Sequence, residues 1–348
     1  MSEMNNKHNT SFEGSNVFVK NMNLILNTKK MTDMIYSENK SFPVQAELYL
    51  TDKCNLECTG CKCSGSKTSL NGRRLLQVIE EFHQAGVKTI ILKSCPGEPS
   101  LHKDFNKIIK KIKSLNMFLG MQTNGVRAKY RNITQYFDFI TIKMDCFSEE
   151  KFKIKKGKNR LNAIKENILE LNSGKVMLDC FINKDNEFRD VWSFLDEIKN
   201  SKISVIRFND FLTGDAGDNE YRCNWLKQIQ VDFQTNFQIV VNSGLKATGN
   251  FGVPCYANSL ITVLLSNGHY AFCQGLLKNK SGVKCDIGDY NDSFINVWNN
   301  TEPRELLKSW CESGKWCSAT CPERSLTVYN EFINMLNRVK GSRLYQFY

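Results

Sequence analysis

The chain has 348 residues, of which 41% are hydrophobic, enough to bury one large core or two modest ones. Its net charge of +11 fits a solvated lysine-rich surface or an acidic partner, and no basic run is interleaved with aromatics as nucleic-acid binding would ask. No apolar stretch approaches the roughly 18 residues of a membrane helix, and fourteen cysteines behind a polar start point to a reducing cytoplasm rather than to disulfide-bonded export.

Residues 1–42 read as a polar extension with one weakly amphipathic segment, Val17 to Tyr36, too short for a separate recognition domain of ordinary size. From Pro43, short apolar runs alternate with charged helical patterns. Strands are predicted at Ala46–Leu50, Thr89–Lys93, Phe118–Gln122, Phe139–Lys143, Val176–Ile182 and Ser204–Phe208. Helices are predicted at Leu70–Ala85, Phe105–Asn116, Arg160–Ser173 and Arg189–Ser201. Such alternation is the signature of β–α units around a parallel sheet, here over residues 43–212. Lys151 to Lys158 is the densest positive patch. After Phe211 a turn-rich joint, Thr213 to Asp218, opens a helical bridging segment over 213–250. Residues 251–348 are cysteine-dense, with strand-like Ile261–Leu265 and His269–Phe272 around the turn Ser266-Asn267-Gly268.

Directly after the first strand stands Cys54-Asn55-Leu56-Glu57-Cys58-Thr59-Gly60-Cys61, spaced C-x3-C-x2-C. Three thiolates this close can bind three irons of one 4Fe–4S cube, leaving the fourth iron open for chemistry. Zinc held by Cys58, Cys61 and Cys63 competes, but would need a matching pair downstream. The second strand ends Pro96-Gly97-Glu98-Pro99, the third Gln122-Thr123-Asn124-Gly125 and the fourth Thr141-Ile142-Lys143-Met144-Asp145.

Together these motifs resemble the radical S-adenosylmethionine (SAM) superfamily. The resemblance implies an α/β fold with a partial (β/α)6 TIM-like barrel, whose strand ends open into one mouth. It implies that the open iron chelates SAM, and that an electron from the cluster cleaves SAM into methionine and a 5′-deoxyadenosyl radical. By the same resemblance Gly97 and Glu98 receive the SAM ammonium and Asn124 occupies a matching strand end. Lys143 is the candidate for the SAM carboxylate. Asn183 and Arg207 are further candidates for that pocket, with ordinary strand-end capping the alternative for Asn183. Family members carry an aromatic residue beside adenine just before the third cysteine; Gly60 stands there, so another side chain must do that packing. Cys63 and Cys95 are either spare buried thiols or redox groups near the site.

Further on, Cys255 precedes Gly268 by twelve intervening residues and Cys273 follows after four; then comes Cys311-x5-Cys317-x3-Cys321. This resembles the SPASM and twitch extensions of the superfamily, although Lys308 replaces one expected cysteine and none follows Cys321. With Cys285, six thiolates allow at least one auxiliary 4Fe–4S cluster in a small C-terminal Fe–S-binding subdomain. Cys255, Cys273 and Cys321 match the motif by position, while Cys285, Cys311 and Cys317 compete for the remaining places. A structural zinc ribbon is the competing reading. Cys223, in the bridge, is either a packing residue or a hydrogen donor to a substrate radical, as in family members that epimerise.

The resemblance implies an oxidoreductase that takes hydrogen from a C–H bond of a peptide substrate, leading to a cross-link, an epimerisation or an oxidation. The alternative is a dehydrogenase or epimerase of a sugar-like small molecule. A non-catalytic Fe–S electron carrier is a third reading. A reductant such as flavodoxin or ferredoxin is an expected partner, and a membrane is not.

Overall fold

The computed structural model describes residues 42–59, 61, 67–127, 132–171, 174–211, 216–245, 261–271 and 286–300. β1 (Gln45–Leu48), α1 (Gly72–Gln84), β2 (Thr89–Leu92), α2 (Phe105–Ser114) and β3 (Phe118–Thr123) follow one another, then β4 (Phe139–Met144). α3 (Glu149–Lys156) and α4 (Leu161–Glu170) lead to β5 (Val176–Ile182), α5 (Phe188–Ile198), β6 (Val205–Phe211), α6 (Ala216–Asp232) and β7 (Gln238–Leu245). β8 (Ile261–Leu264), β9 (His269–Ala271), β10 (Asp286–Asp289) and α7 (Phe294–Asn299) complete the described elements.

The helices that cover the sheet form where apolar residues recur at helical spacing, whereas α3 buries only Phe152. α1 buries Leu75, Val78, Ile79 and Phe82, and its Asn71 cap accepts a hydrogen bond from the Arg74 amide. α2 buries Phe105, Ile108, Ile109 and Ile112, and α5 buries Val191, Phe194, Leu195 and Ile198. These stripes meet one face of the strands, where Leu48, Leu92, Leu119, Ile142, Leu178 and Phe208 are fully buried. A strand alternates its faces, so the intervening residues face inward. That inner set mixes apolar side chains such as Ile91 with polar ones: Glu47, Lys93, Thr141, Asp179 and Asn209 are all buried.

β1 to β7 pair in chain order and in parallel, which makes the partial barrel. Two features differ from the sequence expectation. Part of the bridging segment, Gln238–Leu245, is a seventh parallel strand beside β6. Its polar Gln238 and Asn242 mask the apolar run that would mark a strand. β8 pairs in parallel with β1, and β9 and β10 continue antiparallel, so these strands extend the same sheet. Among the described residues they form no sheet of their own. Lys151 to Lys156, read as a charge patch, lie on α3, which Gly157 ends at a φ of 72°.

Candidate active site

The triad sits where β1 runs out. Asp52, just ahead of it, accepts hydrogen bonds from the hydroxyls of Thr68 and Ser266, tying the exit of β1 to the turn between β8 and β9. The cysteine loop then docks on the end of α3, with the Glu57 amide donating to Lys156 O (2.9 Å) and the Thr59 amide to Lys155 O (2.8 Å). A turn closes on the Cys61 amide and Cys58 O at 3.0 Å. A side chain at Gly157 would come within 2.8 Å of Glu57 Cβ, so the loop and the helix end meet only because that residue is glycine.

Burial pushes the Cys54 and Cys58 thiols above the ordinary cysteine value, and each of the three sulfurs bears on another electrostatically. Opposing this, the Leu56 and Asn124 amides favour the Cys54 thiolate and Lys156 favours that of Cys58. Thiolates are the ligating form, and a positive centre would draw the thiols into it. The donor set therefore fits three irons of a 4Fe–4S cluster. Among the described residues no three His, Cys, Asp or Glu side chains converge on one point as a single-ion site. Gly60 and Cys63 lie outside the described residues.

The second strand end packs against the triad. Gly97 has a φ of 73°, and a Cβ there would lie 1.8 Å from Thr51 O. Here the close approach that glycine permits is to the exit of β1. The Glu98 amide donates to Lys53 O at 2.8 Å, adjacent to Cys54. The Glu98 carboxylate is fully buried. It accepts from the Ser100 and Thr123 hydroxyls, each at 2.8 Å, and from the Asn124 amide at 2.9 Å. Burial pushes its pKa up. The structure thus places Glu98 as the buried tie between the second and third strand ends. Cys95 is exposed.

Asn124 closes the group, its Nδ2 lying 3.6 Å from Cys54 Sγ and 2.7 Å from Asn55 Oδ1. Gly97, Glu98 and Asn124 are thus brought together with the triad.

Lys143 and Arg207 meet elsewhere on the inner face, at Asp179. Lys143 Nζ contacts Asp179 Oδ2, while Arg207 Nε and Nη2 lie 2.8 and 2.7 Å from Oδ1. Asn209 Nδ2 also donates to Oδ1 at 2.8 Å. Burial opposes ionisation of Asp179, but Lys143 and Arg207 outweigh it and hold the carboxyl below its ordinary value. Asn183 is part of a local turn. Its Oδ1 accepts from the Asp185 amide at 2.9 Å, and its own amide donates to Asn186 Oδ1 at 2.9 Å. It fills the capping role that its position allowed.

Cys223 lies on α6, which packs against α5, β6 and β7 in the outer helical layer. Seven residues from the start of that helix, it is about 10 Å along the axis from the strand-end side. Cys255, Cys273, Cys285, Cys311, Cys317 and Cys321 lie outside the described residues.

The sequence reading passed over Asp179, Glu47 and Lys93, the last two forming a buried pair at 3.1 Å. A lone acid inside the apolar strand Val-Met-Leu-Asp-Cys-Phe-Ile was the available signal for Asp179.

The radical SAM superfamily model matches residues 48–220. The chain belongs to the radical SAM superfamily. Among curated proteins it is similar to GTP 3′,8-cyclase of Yersinia pestis, 28% identical over 189 residues, which is 50% of this chain and 57% of the relative. It is also similar to molybdenum cofactor biosynthesis protein 1 of Dictyostelium discoideum, 28% identical over 48% of this chain and 28% of the relative. The chain thus spans little more than half the length of the first of these and less of the second. Among solved structures, Streptococcus suis SuiB has a TM-score of 0.60 at 14% identity, covering 91% of this chain and 82% of its own. An anSMEcpe complex with AdoMet and a Cp18Cys peptide has a TM-score of 0.57 at 14% identity, covering 78% and 83%. At such identities these likenesses show a shared fold. No helix among the described residues is long and apolar enough to cross a membrane.

Proposed function

We propose that this radical SAM enzyme holds its cluster through Cys54, Cys58 and Cys61, places SAM against the Gly97 loop and Asn124, and removes hydrogen from a C–H bond of a peptide. The observation that carries the reading is the convergence of the triad, the Gly97 loop and Asn124 at adjoining strand ends. When bound, the cluster and SAM supply the electron and the 5′-deoxyadenosyl radical that such chemistry needs. The chain's own residues bind and orient. Thr51 and Lys53 fix the Gly97 loop, and the end of α3 carries the cysteine loop. Glu98 couples the second strand end to the third, and Asn124 reaches Cys54 from there.

The peptide reading is supported by the fold shared with SuiB, whose structure has also been solved bound to precursor peptide SuiA. A second reading, a GTP-like nucleotide, is favoured by the sequence similarity to the GTP 3′,8-cyclases. The test is anaerobic turnover with SAM and a flavodoxin- or ferredoxin-type reductant, adding either GTP or a peptide encoded beside this gene. Faster 5′-deoxyadenosine release with a mass change in the peptide supports the first reading. The same response to GTP alone replaces it with the second.

Cys255, Cys273, Cys285, Cys311, Cys317 and Cys321 are proposed to supply at least one auxiliary 4Fe–4S cluster. Its test is the Cys54→Ala/Cys58→Ala/Cys61→Ala triple variant, which should retain iron and visible absorption; zinc in its place would overturn the assignment.

A further inference from the structure

The last turn of α3 carries the cysteine loop and is itself tied to the ends of β4 and β5. Lys156 Nζ lies 2.7 Å from the carboxylate of Asp145, which directly follows β4. Lys155 Nζ lies 2.8 Å from Asp185 and 3.4 Å from Asn183 Oδ1, just after β5. The backbone carbonyls of the same two lysines accept the Thr59 and Glu57 amides, and the Thr59 hydroxyl donates to Ile154 O at 3.4 Å. Lys156 is thus held beside the residue that precedes Cys58, by its main chain on one side and by Asp145 on the other.

These contacts set how negative charge at Cys58 is balanced. The Glu57 and Thr59 amides, which flank Cys58, are directed to α3 rather than to sulfur, and the Cys61 amide is directed to Cys58 O. Cys54, by contrast, is met by the Leu56 and Asn124 amides. At Cys58 the favourable charge is the ammonium of Lys156, whose effect exceeds that of the opposing Asp145 carboxylate. The ion pair therefore turns its positive end to the sulfur. Only 17% of the Lys156 side chain is exposed, against 33% for Asp145, so the cation is the less screened of the two. Lys158 and Glu57 also pair beside the loop, at 2.6 Å, but are 42% and 67% exposed, where water and salt screen them.

We propose that Lys156, oriented by Asp145, raises the reduction potential of the cluster held by Cys54, Cys58 and Cys61. Lys156 is a positioning residue for charge: it acts through the Cys58 sulfur rather than by touching the reacting atoms. When a flavodoxin- or ferredoxin-type donor is oxidised by one electron, the cluster site gains one negative charge, and no bond forms or breaks. A fixed cation favours that more negative state, and net charge and the surroundings of the sulfurs set the potential of such clusters. The inference goes beyond the function proposed above and rests on its assignment of the triad as the cluster ligands.

The test is a redox-dye titration of the reconstituted holoenzyme, read by electron paramagnetic resonance of the reduced cluster whose spectrum changes when SAM is added. Iron content is measured for each protein. The variants are Lys156→Gln, Lys156→Arg to retain the charge, Asp145→Asn to remove the opposing carboxylate, and Lys153→Gln on the exposed side of α3 as control. Lys156→Gln should disfavour reduction at least threefold, a midpoint about 28 mV more negative for one electron. Lys156→Arg and Lys153→Gln should stay within that margin of the wild type, and Asp145→Asn should move the midpoint positive. A smaller shift in Lys156→Gln, or an equal one in Lys156→Arg or Lys153→Gln, overturns the proposal. If Lys156→Gln fails to load iron, Asp145→Asn decides, and a midpoint that is unmoved or more negative overturns it. A wild type that loads no SAM-responsive cluster overturns the proposed function as well, whereas a loaded wild type whose midpoint ignores Lys156 overturns this inference alone.

Discussion

The amide nitrogen of Asn124 lies 3.6 Å from the sulfur of Cys54, seventy residues away in sequence, and joins the third strand end to the first cysteine of the triad. The backbone amide of the same residue donates to Glu98. One residue thus connects the cysteine loop to the buried carboxylate that ties the second and third strand ends together.

Asn124→Asp should be worse than Asn124→Ala. Alanine removes one donor to the sulfur, costing about 1 kcal/mol of local order. Aspartate sets a carboxylate beside a thiolate and disfavours it. Iron content after reconstitution, followed by the spectrum of the reduced cluster, should fall in the order wild type, Ala, Asp.

Gly97→Ala should disrupt the site while leaving the helices intact. Its φ of 73° disfavours a side chain, and the new Cβ would meet Thr51 O. A cost on the order of 1–3 kcal/mol is expected. SAM affinity should drop at least tenfold by calorimetry, with far-ultraviolet circular dichroism unchanged.

Glu98→Ala would leave the Ser100 and Thr123 hydroxyls and the Ser100 and Asn124 amides without this acceptor, at about 1–3 kcal/mol for each donor that stays unpaired. Glu98→Gln keeps an oxygen for the Asn124 amide, and the two hydroxyls can rotate. The urea midpoint should therefore fall sharply for Ala and slightly for Gln. Equal losses would contradict the tie.

Asp179 should make the fold acid-sensitive. Its folded pKa is depressed by Lys143 and Arg207 against the opposing effect of burial. Its contribution is then fully present above the unfolded aspartate value of about 3.9 and is lost as pH falls through the lower folded value. Asp179→Asn should be less stable than wild type by about 1–3 kcal/mol at pH 7. The difference should shrink below about pH 4, as read from urea midpoints across that range.

Much of this was legible in the chain itself. β1 to β6 stand out because each is a short apolar run bounded by polar turns, and the triad stands out by spacing alone. β7 was not legible, since Gln238 and Asn242 interrupt its apolar run directly after a helix. Gly97 stood in a legible motif, but its approach to Thr51 depends on how two strand ends pack. The Asp179 cluster was hidden for a similar reason: its cations stand 36 and 28 residues away on flanking strands. Only the strand register brings the three to one level.

The most direct measurement is release of 5′-deoxyadenosine from SAM by the anaerobically reconstituted, reduced protein, compared with the single variants Cys54→Ala, Cys58→Ala and Cys61→Ala. The account predicts release by the wild type and a loss of at least a hundredfold in each variant. No release from a wild-type protein with its iron fully loaded, or release that survives any of the three substitutions, would contradict it.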